Sequence, residues 1–157
     1  MILAALLFIQ KVTVTTTVSQ VTREYVRHGR AHILQDKLLP DYAAIFRIHG
    51  PFLFGSTDKL SEMLARLEEL PPIVILRLRN MTAIDATGLQ AIEDLADRLH
   101  GSGRALILCG AREQPTRLMH KAGFERHVGE ENIRANIEEA LLRANVLNDA
   151  TQAPVLA

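Results

Sequence analysis

A chain of 157 residues that is 48% apolar is long enough for one domain with a sizeable core, and with few aromatic residues and no Trp that core must be aliphatic. The formal net charge is zero, which argues against general nucleic-acid binding, because such binding needs a basic surface to displace counterions. The one cysteine, Cys109, cannot form an intramolecular disulfide; it lies in an apolar run and is predicted to be a small core residue.

The chain begins with a continuous apolar stretch, residues 1–9, that is shorter than the roughly 20 residues a transmembrane helix needs. Up to Pro40, five basic residues stand against two acidic ones, an excess typical of the cytoplasmic side of a membrane. The stretch is interpreted as the last half of a transmembrane helix, as an apolar flap or dimer contact, or as a targeting segment. We therefore predict a membrane-proximal helix at 1–20 and a basic linker at 21–41, although the Thr-rich stretch 12–18 is also compatible with an edge strand.

From residue 42 onward the pattern alternates between strands and helices, which predicts an α/β domain over 42–147 and a disordered tail over 148–157. The expected architecture is a small mixed or parallel sheet of about four to five strands packed with about four helices. The predicted elements are a strand at 43–49 closed by Gly50-Pro51, a helix capped by Ser56 or Thr57 and ended by Pro71-Pro72, a strand at 73–78, a helix at 87–100, a strand at 104–109, a short helix from Pro115 to Gly123, and a last helix capped by Asn132.

The most informative stretch is the polar turn Asp85-Ala86-Thr87-Gly88-Leu89, which joins a buried strand to a helix. Thr87 is predicted to cap the helix, with Gln90 three residues later completing a capping box. A helix start offers free N–H groups and positive dipole character, so a hydroxyl there is suited to carry a phosphoryl group or to face an anion. Gly88 leaves room for a bulky group to approach. The alternative is that Asp85 and Thr87 are cap residues and nothing more.

The stretch 79–92 resembles the signature loop of STAS domains, the family shared by sulfate transporters and bacterial anti-sigma-factor antagonists. In that loop Asp-Ser/Ala-Ser/Thr-Gly-Leu begins a helix after a central strand. The segments 32–40 and 45–55, the latter with a Gly-Pro-Phe-Leu-Phe-Gly turn, resemble the opening of the SulP-transporter branch. The resemblance covers about 42–144. It implies a cytosolic regulatory or protein-interaction domain of a SulP-like sulfate or anion transporter, tethered at the cytoplasmic face of the inner membrane.

The resemblance also assigns roles within the turn. In antagonist members the hydroxyl residue before the glycine is phosphorylated by a partner kinase, and that position is Thr87 here, with Asp85 shaping the turn. Ala86 stands where antagonists commonly have a second serine, and it fits the transporter branch, in which the loop serves protein contact. The implied docking loop is Asp85 to Leu89, and its partner is the membrane part of the transporter, another protein or a second copy. The alternative is a soluble, cytoplasmic antagonist-like phospho-switch that binds a serine kinase.

Other constellations indicate no catalyst, so we predict a protein that is not an enzyme and uses no cofactor. A Gly-x-Ser-x-Gly elbow and a P-loop are both missing from the sequence. His28 and His32 have i, i+4 spacing without an accompanying Glu, and no metal is predicted. Arg77 and Arg79, near the end of the central strand, are candidate contacts for an anion or a weakly bound nucleotide beside Thr87, with ordinary charge balance as the alternative. Surface or cap roles are predicted for the remaining histidines, His49, His100, His120 and His127.

Overall fold

The computed structural model describes residues 16–21, 39–53 and 58–152. Within these ranges a five-stranded sheet has the spatial order β1-β2-β3-β4-β5, with β1 antiparallel to β2 and the other neighbours parallel. The strands are β1 (Thr17–Val21), β2 (Ala43–Phe52), β3 (Ile73–Ile84), β4 (Ala105–Cys109) and β5 (Ile133–Arg134).

Five α-helices complete the described part of the chain, so the predicted α/β class is confirmed. None of them is long and apolar enough to cross a bilayer. They are α1 (Asp58–Leu64), α2 (Ala86–Gly101), α3 (Glu113–Ala122), α4 (Glu125–Val128) and α5 (Ile137–Gln152).

The sheet is covered on both faces, which explains why β3 shows so little alternation in its sequence. Helices α1 to α4 pack on one face, and α5 packs on the other. The larger core lies on the first face and includes Ile48, Phe52, Leu60, Leu76, Leu78, Ile92, Leu95 and Phe124. The smaller core lies under α5 and consists of Val21, Ile45, Ile73, Ile75, Ile107, Cys109, Ile137, Ala140 and Ala144.

Both ends of the domain extend beyond the predicted boundaries of 42 and 147. Residues 17–20 are not helical, because Thr17–Val21 pairs with β2 while Val18 and Val21 pack into the cores on opposite faces. Helix α5 continues to Gln152, where the Thr151 hydroxyl donates to the Leu147 carbonyl at 2.9 Å, so the tail is helical at 148–152. Residues 1–15, most of the predicted linker (22–38) and 153–157 lie outside the described residues.

Strand β2 does not end at Gly50-Pro51 as predicted. It runs to Phe52 and pairs with β3 through two register shifts, one of which falls between Gly50 and Pro51. A proline has no N–H for the ladder and is tolerated in a sheet at such an irregularity. Gly50 has φ of 90°, a conformation that glycine adopts without steric cost.

The prediction that Asn132 caps the last helix is wrong. Asn132 ends a single 3-10 turn, its side chain donates to the Val128 carbonyl, and the next two residues form β5. The cap is Asn136, whose Oδ1 accepts the N–H of Glu139 at 2.9 Å. A two-residue strand carries no periodicity, so only its pairing with β4 shows that a strand stands here.

An ion pair between α2 and α4 is expected to make the stability of the domain depend on pH. His127 Nδ1 lies 3.0 Å from Asp97 Oδ1, and this hydrogen bond raises the pKa of His127 above 6.5. The pKa of His127 is therefore higher in the folded chain than in the unfolded chain. The stability that the ion pair adds is fully present below the unfolded-state pKa of His127 and is lost as the pH rises through its folded-state pKa. We expect urea unfolding to show a larger stability difference from Asp97→Asn at about pH 5.5 than at about pH 8.5. Equal differences at both pH values would contradict the assignment.

Candidate functional site

The polar turn after β3 begins α2 through a side-chain cap supplied by Asp85. Asp85 has extended backbone angles (φ −110°, ψ −177°), and its Oδ1 accepts the N–H of Gly88 at 2.8 Å. Thr87 is therefore the second residue of the helix and not its cap. The predicted capping box does not form, because Thr87 lies inside the helix. The side chain of Gln90 points along the helix, where its Nε2 donates to Asp94 Oδ1 at 3.0 Å.

The residues of the predicted docking loop differ in exposure. Ala86 and Thr87 are exposed, Asp85 is half-buried, and Gly88 and Leu89 are buried. The loop is thus anchored at both ends and presents the Thr87 side chain to solvent. The accessibility that any docking or modification at Thr87 requires is present.

Gly88 is explained by packing within the chain. A Cβ at this position would lie 2.4 Å from the carbonyl oxygen of Phe52 and 2.9 Å from Cδ1 of its ring. The space left by the missing side chain is therefore filled by the end of β2, and no visiting group can use it. The first turn of α2 therefore packs directly against the backbone at the end of β2.

A residue outside the predicted site, Gln114 on α3, holds the end of β3 in place. The N–H of Ile84 donates to Gln114 Oε1 at 3.1 Å, and Gln114 Nε2 donates to the carbonyl oxygen of Ile84 at 2.9 Å. Strand β4 stops at Cys109, so this amide takes the place of a neighbouring strand just before Asp85. A single glutamine in a helix gives no sequence signal for such a role.

A shallow groove of about 240 Å³ runs between α1 and α2 and ends at Thr87. Its lining mixes aliphatic and polar side chains, as protein-contact surfaces commonly do. The lining residues are Leu60, Ser61, Leu64, Thr87, Gln90, Ala91, Asp94 and Arg98.

The structure does not bring Arg77 together with Thr87. Along β3 the neighbours Leu76 and Leu78 face the larger core beneath α2, so Arg77 points to the opposite face, under α5. Arg77 is only 7% exposed, and burial lowers the pKa of its guanidinium. Arg79 is exposed, and its backbone carbonyl accepts from Arg112 Nε at 2.8 Å.

Cys109 is buried, as predicted, and burial raises the pKa of its thiol to about 12. Within the described ranges, no group of three or more His, Cys, Asp or Glu side chains is arranged to hold a metal ion. His28 and His32 lie outside the described residues.

Fold and site together define a small α/β domain whose distinctive feature is an exposed, capped helix start beside a shallow groove. The chain belongs to the STAS domain family, whose model matches residues 35–140. The matched residues include all of β2, β3 and β4 and the Asp85 turn.

Similar proteins place the chain in the sulfate-transporter branch of this family. It is 34% identical to a sulfate transporter family protein from Wolinella succinogenes (TM-score 0.67), covering 73% of this chain and 94% of that one. It is 30% identical to the SulP transporter STAS domain from Vibrio cholerae (TM-score 0.62), covering 82% and 95%. It is 25% identical over 133 residues, 84% of this chain, to the putative sulfate transporter YvdB of Bacillus subtilis strain 168, and it spans 24% of that protein's length.

The predicted resemblance to anti-sigma-factor antagonists is found in the fold. A putative antagonist from Thermotoga maritima superposes with a TM-score of 0.59 at 18% identity, covering 69% of this chain and 92% of that one. The strand-to-helix turn that carries Thr87 therefore belongs to a fold common to both branches.

Proposed function

We propose that this chain is the regulatory, protein-docking domain of a SulP-like anion transporter, located at the cytoplasmic face of the inner membrane and not itself an enzyme. Its docking surface is the exposed part of the Asp85 turn together with the groove between α1 and α2. The partner is the membrane-spanning part of the transporter.

The observation that carries this proposal is the exposure of Thr87 on a rigidly fixed turn. Asp85 and Gln114 hold the backbone on either side of the β3–α2 junction, so the surface is formed before a partner arrives. A preorganised surface loses less conformational entropy on binding than a mobile one. The sulfate transporters among the similar proteins support the choice of partner.

The proposal predicts that Thr87→Arg weakens binding to the membrane part of the transporter. A long charged side chain at the end of the groove would prevent close contact, and we expect the Kd to rise about tenfold, or about 1.4 kcal/mol. The measurement is titration of the labelled chain against the SulP membrane domain encoded in the same genome, purified in detergent micelles.

Thr151→Arg is the matched control, because Thr151 is also an exposed helical threonine but lies on α5, across the sheet. Its Kd should equal that of the unmodified chain. Equal binding by the Thr87 variant, or no saturable binding by any form, would refute the docking proposal.

A phospho-switch that binds a serine kinase is the second candidate function, and the exposed Thr87 hydroxyl in the first turn of α2 favours it. A phosphate there would add about −1.5 to −2 charges beside the positive end of the helix dipole, leaving the fold intact. Incubation with an anti-sigma-type serine kinase, followed by mass-spectrometric mapping, should then modify Thr87 and leave Thr87→Ala unmodified. A chain that stays unmodified counts against this function.

A further inference from the structure

A cavity of about 510 Å³, here called the α3–α4 cavity, opens among α3, α4 and β5, at the edge of the sheet farthest from β1. Its apolar lining consists of Ala111, Met119, Phe124 and Ile133, all of which belong to the larger core or pack against it. The cavity is therefore a place where the larger core reaches the surface. Cavities of this size, with apolar lining and a few polar groups, are the usual form of binding sites.

The polar part of this lining carries negative charge. Glu125 is the first residue of α4, and Glu130 begins the 3-10 turn that precedes β5. Neither carboxylate forms an ion pair or a side-chain hydrogen bond with another residue of 16–21, 39–53 or 58–152. The other polar lining residues are Thr116, which is neutral, and His120, so two carboxylates stand against at most one positive charge.

The two carboxylates determine which apolar group the cavity accepts. Covering a carboxylate with an uncharged group removes water from it without replacing the lost hydrogen bonds. A cation beside the apolar group offsets this cost through charge-assisted hydrogen bonds. The last turn of α3, with Met119 and His120, also lies at the cavity, and the C-terminal end of a helix favours positive charge. The cavity therefore favours an apolar group that carries positive charge and disfavours an anion.

The number and position of the carboxylates favour a peptide over a small amine. A ligand with one ammonium group supplies one counter-charge, whereas a chain segment with a basic residue on each side of an apolar one supplies two. Strand β5 is the last strand of the described sheet, so the cavity borders a sheet edge that an extended segment can approach. Aromatic side chains and arginine are also the residues that most often anchor protein interfaces.

We propose that the α3–α4 cavity binds a segment of a partner protein in which a large apolar side chain stands between two basic residues. The apolar side chain fills the space beside Met119 and Ile133, and the basic side chains pair with Glu125 and Glu130. The cavity shares no lining residue with the groove that ends at Thr87, so this site stands independently of the docking surface proposed above.

The test is a titration of the ¹⁵N-labelled full chain with three short synthetic peptides, followed by the backbone amide resonances. The first peptide has a phenylalanine between two arginines, the second has glutamates in place of the arginines, and the third has a glycine in place of the phenylalanine. We expect saturable shifts at Met119, Phe124 and Ile133 with the first peptide. The third should bind about tenfold more weakly, because it buries no aromatic ring, and the second should not bind. Equal binding by all three peptides, no saturable binding of the first, or shifts confined to residues outside the cavity would overturn the proposal.

The double variant Glu125→Gln/Glu130→Gln should bind the first peptide about tenfold more weakly, because it removes two partly exposed ion pairs. The matched control is Glu62→Gln/Glu113→Gln, which changes the net charge equally at two exposed positions outside the cavity lining. It should bind as the unmodified chain does. An equal loss of affinity in the two double variants would show a general charge effect and refute the site.

Two further measurements separate a peptide from other occupants of the cavity. Butylammonium chloride carries one cation on an apolar chain and should bind more weakly than the first peptide. Equal affinity would make the cavity a site for small amines and overturn the peptide proposal. Analytical ultracentrifugation of the chain without peptide should show no self-association that depends on Glu125 and Glu130. Self-association that the Glu125→Gln/Glu130→Gln variant abolishes would make a second copy the occupant and overturn it as well.

Discussion

Gly88→Ala is expected to lower the free energy of unfolding by about 1–3 kcal/mol, the usual cost of forcing extra atoms into a packed site. The added Cβ would lie 2.4 Å from the Phe52 carbonyl oxygen and 3.0 Å from Cγ1 of Ile84. The first of these atoms belongs to the backbone of β2 and cannot rotate away, so the start of α2 must move outward. Urea unfolding followed by circular dichroism measures the loss.

Gly101→Ala is the matched control on the same helix. A Cβ at Gly101 would meet nothing within 4 Å, so the substitution adds no clash and reduces the conformational freedom of the unfolded chain. We expect it to stabilise the protein by about 0.4–1 kcal/mol. Similar changes in stability for the two variants would show that α2 does not rest on β2 as described.

Asp85→Ala is expected to cost about 0.5–2 kcal/mol of stability, because it removes the carboxylate that caps α2. The N–H of Gly88 would lose the acceptor that now lies at 2.8 Å. Thr87 cannot replace that acceptor, because it already lies inside the helix as its second residue. The measurement is again the urea midpoint and slope.

Asp85→Asn is the control, since an asparagine Oδ1 occupies the same position and caps helices about as well. It should retain most of the stability. Thr87→Ala should change stability little, because no hydrogen bond of its side chain to another described residue holds the helix start. A larger loss for Thr87→Ala than for Asp85→Ala would restore Thr87 as the cap and contradict the structure.

The contacts of the polar turn from Asp85 to Leu89 limit which of its residues can take part in docking. Three of its five residues have roles within the fold, because Asp85 caps the helix, Gly88 admits the Phe52 carbonyl, and Leu89 packs into the larger core. Ala86 and Thr87 alone are exposed. The proposed docking function therefore depends chiefly on Thr87 and the groove beside it, and variants at Asp85 or Gly88 would test stability before they test binding.

The amino-acid sequence by itself determined the family, the α/β class and most helices and strands. Those features depend on local signals: apolar runs such as 73–78, the helical spacing of Leu89, Ile92, Leu95 and Leu99, and an ordered turn motif. The resemblance to STAS domains rests on the same contiguous residues, which is why the comparison with known families confirms it.

Tertiary structure alone decided which residue caps α2, where the sheet ends and which face each side chain occupies. Asp and Thr are both favoured N-cap residues, so the sequence does not show whether Asp85 or Thr87 caps α2. The backbone angles identify Asp85 as the cap. The edge strands β1 and β5 exist through pairing with partners distant in sequence. The Thr-rich stretch 12–18 is compatible with a helix and with an edge strand, and the two residues of β5 are too few to show a periodicity. Arg77 was expected beside Thr87 because they are near in sequence, yet the two-residue alternation of β3 and the packing of α5 put it on the opposite face.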